Sequence, residues 1–409
     1  MPILVMKFGG TSVADLDCIA NAAHKIQREV ERGYQVIVIV SAMAGETNKL
    51  VGWVREIAGL YDAREYDAVV SSGENVTSGL MALTLQRMGV EARSWQGWQV
   101  PLKTSSAHGA ARIEDIGTDA ILAKFQSGSQ VAVIAGFQGV TQEGRIATLG
   151  RGGSDTTAVA FAAAFQAERC DIYTDVDGIY TTDPRITKKA RKLDRIAYEE
   201  MLELASLGAK VLQTRSVELA MRYKVRLQVL SSFEDKPGTL VCDEEDIVES
   251  NVVSGVAHSR EEAKMTLLSV SDKPGIAAAI FGPLAEAGVN VDMIVQNISE
   301  DGKTDMTFSC PVDEVEKADQ ALKAAMDAGG IEFQSLVTDT EVAKISIVGI
   351  GMRSHAGVAA QMFEALADEG INIKVITTSE IKISVLIEAA FAELAVRTLH
   401  SVYGLDAAE

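Results

Sequence analysis

Residues 3–12, ILVMKFGGTS, decide the fold class, because a short apolar run ends there in a lysine, a phenylalanine and two glycines. The periodicity over residues 15–32 places apolar side chains on one helical face and predicts a helix that stops at Gly33. Residues 36–40, VIVIV, are an unbroken β-branched run, which is typical of a strand buried on both faces of a parallel sheet. The start of the chain therefore predicts a strand, a helix and a second, parallel strand.

The same alternation continues through the first half of the chain. Helices are predicted over residues 73–88 and 154–167, and strands over residues 131–135 and 171–174. Alternating strands and helices build a mostly parallel sheet that is covered by helices. We therefore expect an α/β fold in which a ligand sits at the carboxyl ends of the strands.

Composition excludes several classes of protein. A chain of 409 residues is too long for one ordinary core and predicts two or three domains. The formal net charge of −19 argues against nucleic acid or an anionic membrane as a partner. No apolar run approaches the roughly 18 residues that cross a bilayer. The first residues also lack the features of a signal peptide, so we expect a cytoplasmic protein.

Cysteine and histidine give no sign of a metal site. The four cysteines lie far apart, without a C-x-x-C pair, and none of the five histidines stands in a ligand-like pattern. We therefore predict no disulfide framework, no structural zinc and no metal held by the protein alone.

Lys7 and the two glycines after Phe8 form the first chemical motif. Glycine lets backbone N–H groups approach phosphate oxygens, and the start of the following helix favours anions. The lysine supplies a positive charge where a phosphoryl group in transfer gathers negative charge. The motif is not a P-loop, since G-x-x-x-x-G-K-[ST] is absent. A purely structural Gly-Gly turn is the alternative.

Residues 149–157, LGRGGSDTT, form the strongest motif. Three glycines surround Arg151, whose guanidinium can bind a carboxylate through two parallel hydrogen bonds. Ser154 can donate to a bound carboxylate or phosphate, and Asp155, in the first turn of a helix, can hold a catalytic lysine by ion pairing. Simple capping of the helix by Ser154 and Asp155 is the alternative interpretation.

The second half contains an internal repeat with a constant spacing. Gly275 and Gly357 begin two similar segments, and Gly288 and Gly370 end them, so that 357 − 275 and 370 − 288 both equal 82. A constant offset over a helix and its following turn indicates two copies of one supersecondary unit. The charged, turn-rich residues 233–250 predict the hinge between the two halves of the chain.

Three motifs carry a resemblance to a known family: KFGGTS at 7–12, GRGGSDTT at 150–157 and DIYTDVDGIYTTDPR at 171–185. They resemble the aspartate kinases of the amino-acid kinase superfamily, and the repeats resemble the paired ACT domains of that family. The resemblance implies an αβα sandwich with a mostly parallel sheet, the amino-acid kinase fold, followed by two C-terminal α+β ferredoxin-like ACT domains. The implied boundaries are 1–235 for the kinase domain, 236–260 for a linker and the first strand of the regulatory region, 261–338 for ACT domain 1 and 339–409 for ACT domain 2.

The resemblance also implies a reaction. The family transfers the γ-phosphoryl group of ATP to the β-carboxylate of L-aspartate, giving 4-phospho-L-aspartate, which leads to lysine, threonine, methionine and diaminopimelate. ATP and Mg²⁺ are the implied cofactors, with Mg²⁺ bound mainly by phosphate oxygens. Two alternatives stay open: a related kinase that phosphorylates glutamate or N-acetylglutamate, and a non-catalytic amino-acid sensor with a decayed kinase half.

Matched position by position, the resemblance implies three groups of site residues in the first half of the chain. The catalytic residues are Lys7, Asp155 and Lys210. The ATP-binding residues are Lys7, Phe8, Gly9, Gly10, Ser41, Tyr173, Thr174, Ile179, Tyr180, Thr181, Thr182, Asp183, Pro184 and Lys210. The substrate-binding residues are Thr47, Glu74, Arg151, Gly152, Gly153 and Ser154.

Charge supports this assignment for the acceptor. Aspartate has one ammonium group and two carboxylates, so its site needs an acid and a fork-shaped cation, here Glu74 and Arg151. The structural alternatives are a helix-start carboxylate for Glu74, a turn hydroxyl for Thr47 and a solvated helix lysine for Lys210.

In the second half, the resemblance implies sites for an amino-acid effector. Such a ligand needs an acid for its ammonium group and helix-start N–H groups for its carboxylate, and Asp272 and Gly275 supply both in one loop. The implied effector residues are Asp272, Gly275, Ile276, Ala277, Asn290, Val291, Gln296, Asn372, Ile373 and Thr378. Lysine, threonine or both are the implied effectors, and the pairing of ACT domains from two chains implies a homo-oligomer or an αβ assembly.

Overall fold

The computed structural model of the chain describes residues 1–207, 211–247, 251–297 and 302–406. The chain divides into two compact units. Met1–Tyr180 and Lys192–Glu249 form the first unit, and Thr181–Arg191 and Ser250–Glu409 form the second. The predicted catalytic residue Lys210 lies outside the described residues.

The first unit alternates strands and helices, as the sequence predicted. Its strands are β1 (Ile3–Phe8), β2 (Gln35–Val40), β3 (Ala92–Trp95), β4 (Leu102–Thr104), β5 (Ile113–Ile116), β6 (Val131–Ala135), β7 (Gln138–Val140), β8 (Ile146–Thr148), β9 (Arg169–Thr174), β10 (Arg195–Ala197), β11 (Leu227–Ser231) and β12 (Thr239–Cys242). Its helices are α1 (Leu16–Glu31), α2 (Glu46–Ile57), α3 (Ala63–Val70), α4 (Ser72–Arg87), α5 (Asp119–Gln126), α6 (Gly153–Ala164), α7 (Tyr198–Ser206) and α8 (Thr214–Tyr223).

The main sheet of this unit has eight strands among the described residues, in the order β10-β12-β11-β9-β1-β2-β6-β3. All neighbouring pairs are parallel except β11 and β12. The register aligns Phe8 with Val40 on one side and with Tyr173 on the other, and Val40 with Ala135. Four parallel strands therefore end in one row, and the residues that follow them meet at the same edge of the sheet.

Helices cover both faces of this sheet, which confirms the predicted αβα sandwich. Helices α1 and α4 pack together on one face, where Ile19, Ile26 and Leu85 join the side chains of the strands in one core. Helix α6 packs against β1, β2 and β9, and every residue from Gly153 to Ala162 is buried. A helix that is buried on all sides needs no polar face, which explains why its sequence shows little amphipathic periodicity.

The four short strands β5-β4-β7-β8 form a separate sheet in the same unit. Strand β7 follows β6 after two residues, so this small sheet begins at the edge where the parallel strands end. Gly139 in β7 approaches β4 closely, because a Cβ atom there would lie 2.5 Å from Leu102 Cδ2 and from Thr104 Cγ2. The absence of a side chain at Gly139 is thus what lets the two strands pack.

The second unit contains two four-stranded sheets among the described residues. Its strands are β13 (Gly255–Ser259), β14 (Glu262–Ser271), β15 (Ile294–Gln296), β16 (Lys303–Pro311), β17 (Ser335–Asp339), β18 (Val342–Val348), β19 (Ile373–Thr378) and β20 (Lys382–Glu388). Its helices are α9 (Ile276–Glu286), α10 (Val315–Asp327), α11 (Val358–Asp368) and α12 (Ala392–Val402). The sheets have the orders β15-β16-β14-β17 and β13-β18-β20-β19, so the strand that precedes the first repeat joins the sheet of the second.

The backbone confirms the internal repeat. Helices α9 and α11 begin and end 82 residues apart, since 358 − 276 and 368 − 286 both equal 82. Gly275 and Gly357 precede them with φ of +92° and +93°, and Gly288 and Gly370 follow them with φ of +67° and +69°. Both copies use glycine where the backbone is left-handed at each end of the helix, because other residues adopt that conformation at a cost.

Within the described residues, none of the helices combines the length and the apolar character that crossing a bilayer requires.

Substitution of Gly139 tests the close approach of β7 and β4. We expect Gly139→Ala to lower the free energy of unfolding by roughly 1–3 kcal/mol, since the new methyl group overlaps two side chains and the Leu102 carbonyl oxygen. Gly79→Ala is the matched control, because Gly79 lies inside α4 with open space around it and should gain up to about 1 kcal/mol. Urea unfolding of the two variants measures both changes, and equal effects at the two positions would contradict the packing.

Candidate active site

A cavity of about 360 Å³ opens in the first unit at the carboxyl ends of the parallel strands. It brings together predicted residues from four separate stretches of sequence, and one residue, from a fifth stretch, that was not predicted. The residues that line it are Lys7, Gly10, Ser41, Ala42, Met43, Ala44, Gly45, Thr47, Asn48, Glu74, Phe137, Gly150, Arg151, Gly152, Gly153, Ser154 and Asp155. All six predicted substrate-binding residues are among them, together with Lys7, Gly10 and Ser41 from the predicted ATP-binding residues.

Lys7 and Asp155 form an ion pair at the floor of this cavity. Lys7 Nζ lies 2.5 Å from Asp155 Oδ1, and each side chain is 11% exposed. The lysine comes from β1 and the aspartate from the first turn of α6, where the helix dipole stabilises a negative charge. The carboxylate holds the ammonium group at the cavity, where it can contact a phosphate oxygen.

The Arg151 turn (residues 149–153) leads from β8 into α6. Gly150 and Gly152 are left-handed, with φ of +76° and +71°, and a Cβ atom on Gly152 or Gly153 would overlap Gln213 or Phe137. Only glycine satisfies both the backbone and the packing there. The turn leaves Arg151 exposed, with no hydrogen bond or ion pair to another described residue, so its guanidinium is free to bind an anion.

Ser154 does not cap helix α6. The helix begins at Gly153, and Gly152 is the N-cap residue, without a side-chain hydrogen bond. The capping interpretation is therefore wrong for Ser154, whose side chain lines the cavity instead. It can donate to a bound carboxylate or phosphate.

Glu74 is a buried carboxylate in the first turn of α4. It is 3% exposed, its Oε1 accepts a hydrogen bond of 3.1 Å from the backbone N–H of Ala42, and its Oε2 has no hydrogen-bond partner among the described residues. Burial raises the pKa of Glu74 to about 7, against the lowering effect of the Ala42 hydrogen bond. A cation in the cavity would relieve this cost by pairing with the free oxygen.

Phe137 lines the cavity although no motif in the sequence pointed to it. It lies between β6 and β7 with φ of +68°, which is uncommon for a residue with a side chain. Hydrogen bonds fix this conformation, since Phe137 O accepts from Leu149 N–H (2.9 Å) and Phe137 N–H donates to Thr157 Oγ1 (3.3 Å). Its only sequence signal is that it follows a buried strand, as Ser41 does.

Several of the predicted ATP-binding residues in the first unit are buried. Phe8 and Ile179 are 0% and 1% exposed, and Phe8 stacks on Tyr173 with 4.7 Å between ring centroids. The Phe8 carbonyl oxygen also accepts from Ser41 N–H (3.1 Å), so neither the ring nor this carbonyl is open to a nucleotide. The phenol of Tyr180 donates to Asp177 Oδ1 (2.8 Å), and burial together with this bond raises the pKa of Tyr180 to about 12. Gly9 N–H donates to the Tyr173 carbonyl oxygen (3.3 Å).

Four other predicted ATP-binding residues, Thr181 to Pro184, belong to the second unit. Thr181 is fully buried there, and its Oγ1 lies 2.8 Å from His400 Nε2. His400 is also fully buried, and its Nδ1 lies 2.8 Å from Asp406 Oδ1. Thr181 thus has a structural role within the second unit, which its motif did not predict.

The predicted effector residues lie around the two ends of helix α9, just after helix α11, and in strands β15 and β19. In the first copy, Asp272 and Gly275 are exposed at the start of α9, and Gln296 Nε2 donates weakly to Asp272 Oδ1 (3.5 Å). In the second copy, Asn372 and Thr378 are exposed next to or within β19. Residues 296 and 378 are 82 apart, so the two copies offer corresponding positions.

Comparison with known proteins gives three family matches along the chain. Residues 2–231 match the amino acid kinase family, and residues 264–327 and 345–403 each match the ACT domain. An aspartokinase of Pseudomonas aeruginosa is 53% identical over 409 residues, which is 100% of this chain and 98% of the relative. An aspartokinase of Helicobacter pylori is 48% identical over 99% of this chain and 100% of the relative.

Solved structures give the same result. Aspartokinase III of Escherichia coli in complex with aspartate and ADP, in the R-state, matches with a TM-score of 0.80 and 29% identity, covering 98% of this chain and 99% of that chain. The same enzyme in complex with lysine and aspartate, in the T-state, matches with a TM-score of 0.76 and 28% identity over the same shares.

The pH dependence of stability tests the burial of Glu74. A folded-state pKa above the ordinary value of 4.5 means that the folded protein binds the extra proton, so stability falls as pH rises from about 4.5 to about 7. Glu74→Gln keeps the shape of the neutral acid and should be more stable than the wild type above pH 7, by up to roughly 3 kcal/mol, but not at pH 5. Glu56→Gln, an exposed position on α2, is the control. Parallel pH profiles for Glu74→Gln and the wild type would contradict the raised pKa.

Proposed function

The chain belongs to the amino acid kinase family, and from this premise we propose that it transfers the γ-phosphoryl group of ATP to the β-carboxylate of L-aspartate. The product is 4-phospho-L-aspartate, which enters the biosynthesis of lysine, threonine, methionine and diaminopimelate. The observation that carries the proposal is one cavity in which the Lys7–Asp155 pair lies beside Glu74 Oε2 and Arg151, neither of which has a partner among the residues that the structure describes.

The charges of the cavity match those of the acceptor. The free Oε2 of Glu74 can pair with the ammonium group of aspartate. The guanidinium of Arg151 and the hydroxyl of Ser154 can bind a carboxylate, and Thr47 adds a second hydroxyl at the rim. Together these groups complement an amino acid that has two carboxylates.

The chemistry of the acceptor explains why cations and hydrogen-bond donors dominate the site. A β-carboxylate is already ionised at neutral pH, so its oxygen can attack the γ-phosphorus without a general base. What the enzyme must supply is alignment and positive charge for the phosphoryl oxygens. Lys7, held by Asp155, supplies that charge, and the N–H group of Gly10, which lines the cavity, can approach the phosphates, whereas that of Gly9 is bonded to the Tyr173 carbonyl oxygen.

Mg²⁺ is part of the proposed reaction. In the described part of the chain, no group of three or more His, Cys, Asp or Glu side chains could hold a metal ion. The ion would therefore arrive with ATP, held mainly by phosphate oxygens, and would neutralise charge on the phosphates. We also propose Lys210 as an ATP-binding residue, and the resemblance to aspartate kinases is the only support for it.

The two repeats are the proposed regulatory part. Domain boundaries of 1–235, 236–260, 261–338 and 339–409 stay our proposal, as do lysine, threonine or both as effectors. An effector can inhibit only if it binds an inactive arrangement of the chain more tightly than an active one. Assembly as a homo-oligomer or with a second type of chain, and location in the cytoplasm, also stay predictions.

One coupled assay tests the function. We expect ADP to form only when ATP, Mg²⁺ and L-aspartate are all present, and saturating lysine plus threonine to lower the rate. ADP formation with glutamate or N-acetylglutamate but not with aspartate would overturn the proposed acceptor. A rate that lysine plus threonine leave unchanged would overturn the proposed regulation.

Substitution of Lys7 tests the phosphoryl-transfer role. We expect Lys7→Ala to lower kcat by about 10³-fold with an unchanged fold, because the transition state loses its nearest cation. Lys103→Ala, which removes an exposed lysine paired with Asp115, is the control and should keep full activity. Circular dichroism and the coupled assay measure fold and rate, and a kcat within threefold of the wild type would contradict the role.

A further inference from the structure

Gln138 is a fully buried glutamine beside the candidate active site. It follows Phe137, which lines the cavity, and it pairs with Thr148 between strands β7 and β8. Its side chain points away from these strands toward the junction of α3 and α4. It therefore connects the strand side of the cavity with the helix that carries Glu74.

Both amide protons of Gln138 are used at that junction. Nε2 donates to the carbonyl oxygen of Ser71 and to Oδ1 of Asn75, each at 2.9 Å. Ser71 ends α3 and immediately precedes α4, and Asn75 is the residue after Glu74. The two hydrogen bonds thus hold the first turn of α4 on both sides of the catalytic-site carboxylate in sequence.

The opposite side of the same turn is held by the loop after β2. Ala42 N–H donates to Glu74 Oε1 at 3.1 Å, and a Cβ atom on Gly73 would lie only 2.7 Å from Ala42 Cβ. The start of α4 is therefore held by contacts with both Ala42 and Gln138. We expect that removing the Gln138 hydrogen bonds leaves Glu74 Oε1 bonded to Ala42 N–H but lets the turn shift relative to the cavity.

Stability alone does not explain a glutamine at this position. Gln138 Oε1 is buried without a hydrogen-bond partner among the described residues. An unsatisfied buried acceptor is unfavourable, whereas apolar replacement of similar shape removes that cost. A buried polar group with incomplete bonding suggests a role other than stability. Here the two donated hydrogen bonds suggest that the role is to position the start of α4.

We propose that Gln138 is a positioning residue that sets where the free Oε2 of Glu74 meets the ammonium group of the substrate, and that it thereby makes the site selective for an α-amino acid. The inference rests on the proposed function of the cavity. Because an ammonium–carboxylate contact depends steeply on distance inside a protein, a small tilt of α4 weakens it while the carboxylate and phosphate contacts on β1 and α6 remain.

The test compares Gln138→Met with a matched control on α4, the helix whose start Gln138 bonds. Gln86 lies in the last turn of α4, where its Nε2 donates to the Ala92 carbonyl oxygen at 2.8 Å, so Gln86→Met removes a bond of the same kind. For Gln138→Met we expect KM for aspartate to rise about 10- to 100-fold, while KM for ATP and kcat change by less than about threefold. Gln86→Met should leave all three near wild-type values.

Succinate separates positioning of Glu74 from a general loss of structure, because it has both carboxylates of aspartate but no ammonium group. As a competitive inhibitor against aspartate, it should bind Gln138→Met and the wild type equally well. Equal weakening of succinate and aspartate would overturn the proposal, as would an unchanged KM for aspartate.

Asn75→Ala removes only one of the two acceptors and serves if Gln138→Met does not fold. We expect it to raise KM for aspartate in the same direction by a smaller factor, again without an effect on succinate, and the absence of that shift would overturn the proposal. The wild-type enzyme in the same assay separates the proposed function from the role of Gln138. If the wild type does not phosphorylate aspartate, the proposed function is wrong. If the wild type does, and the variants have the same KM for aspartate, the inference about Gln138 is wrong.

Discussion

The contact between Lys7 and Asp155 is the interaction around which the rest of the site is arranged. Two charges that are only 11% exposed lose most of their hydration, and a pair of this kind is tolerated only when its geometry is good. That geometry joins the end of a central strand to the start of a buried helix. It therefore depends on the register of the parallel sheet and on the left-handed glycines of the Arg151 turn, which lead the chain into α6.

Several unfavourable features lie together around this ion pair. Glu74 is a carboxylate whose pKa burial raises to about 7, Gln138 has an unpaired carbonyl oxygen, and Phe137 has a left-handed backbone. Each lowers stability on its own, and each borders or supports the same cavity. Of these costs, the one at Glu74 can be relieved by a ligand, because Glu74 lines the cavity and a bound cation would pair with its carboxylate.

The two repeats share a backbone but not a charge pattern. Both helices start after a left-handed glycine, so both offer free N–H groups to an anion. Asp272 in the first copy corresponds to Ser354 in the second, since 354 − 272 equals 82, and only the first copy therefore has an acid there for an ammonium group. We therefore expect the first copy rather than the second to bind a free amino acid at this position.

The sequence by itself determined the fold class, the repeat and the chemistry of the catalytic half. Apolar runs, glycines at turns and the motifs around Lys7 and Arg151 are local features, and the αβα sandwich and both ACT domains agree with them. Only the tertiary structure decided that Phe137 lines the site, that Gln138 bonds the start of α4, and that Thr181 is packed within the second unit. No local pattern marks Phe137 or Gln138, and the motif that contains Thr181 predicted a different role for it, because the neighbours of all three come from distant segments of the sequence.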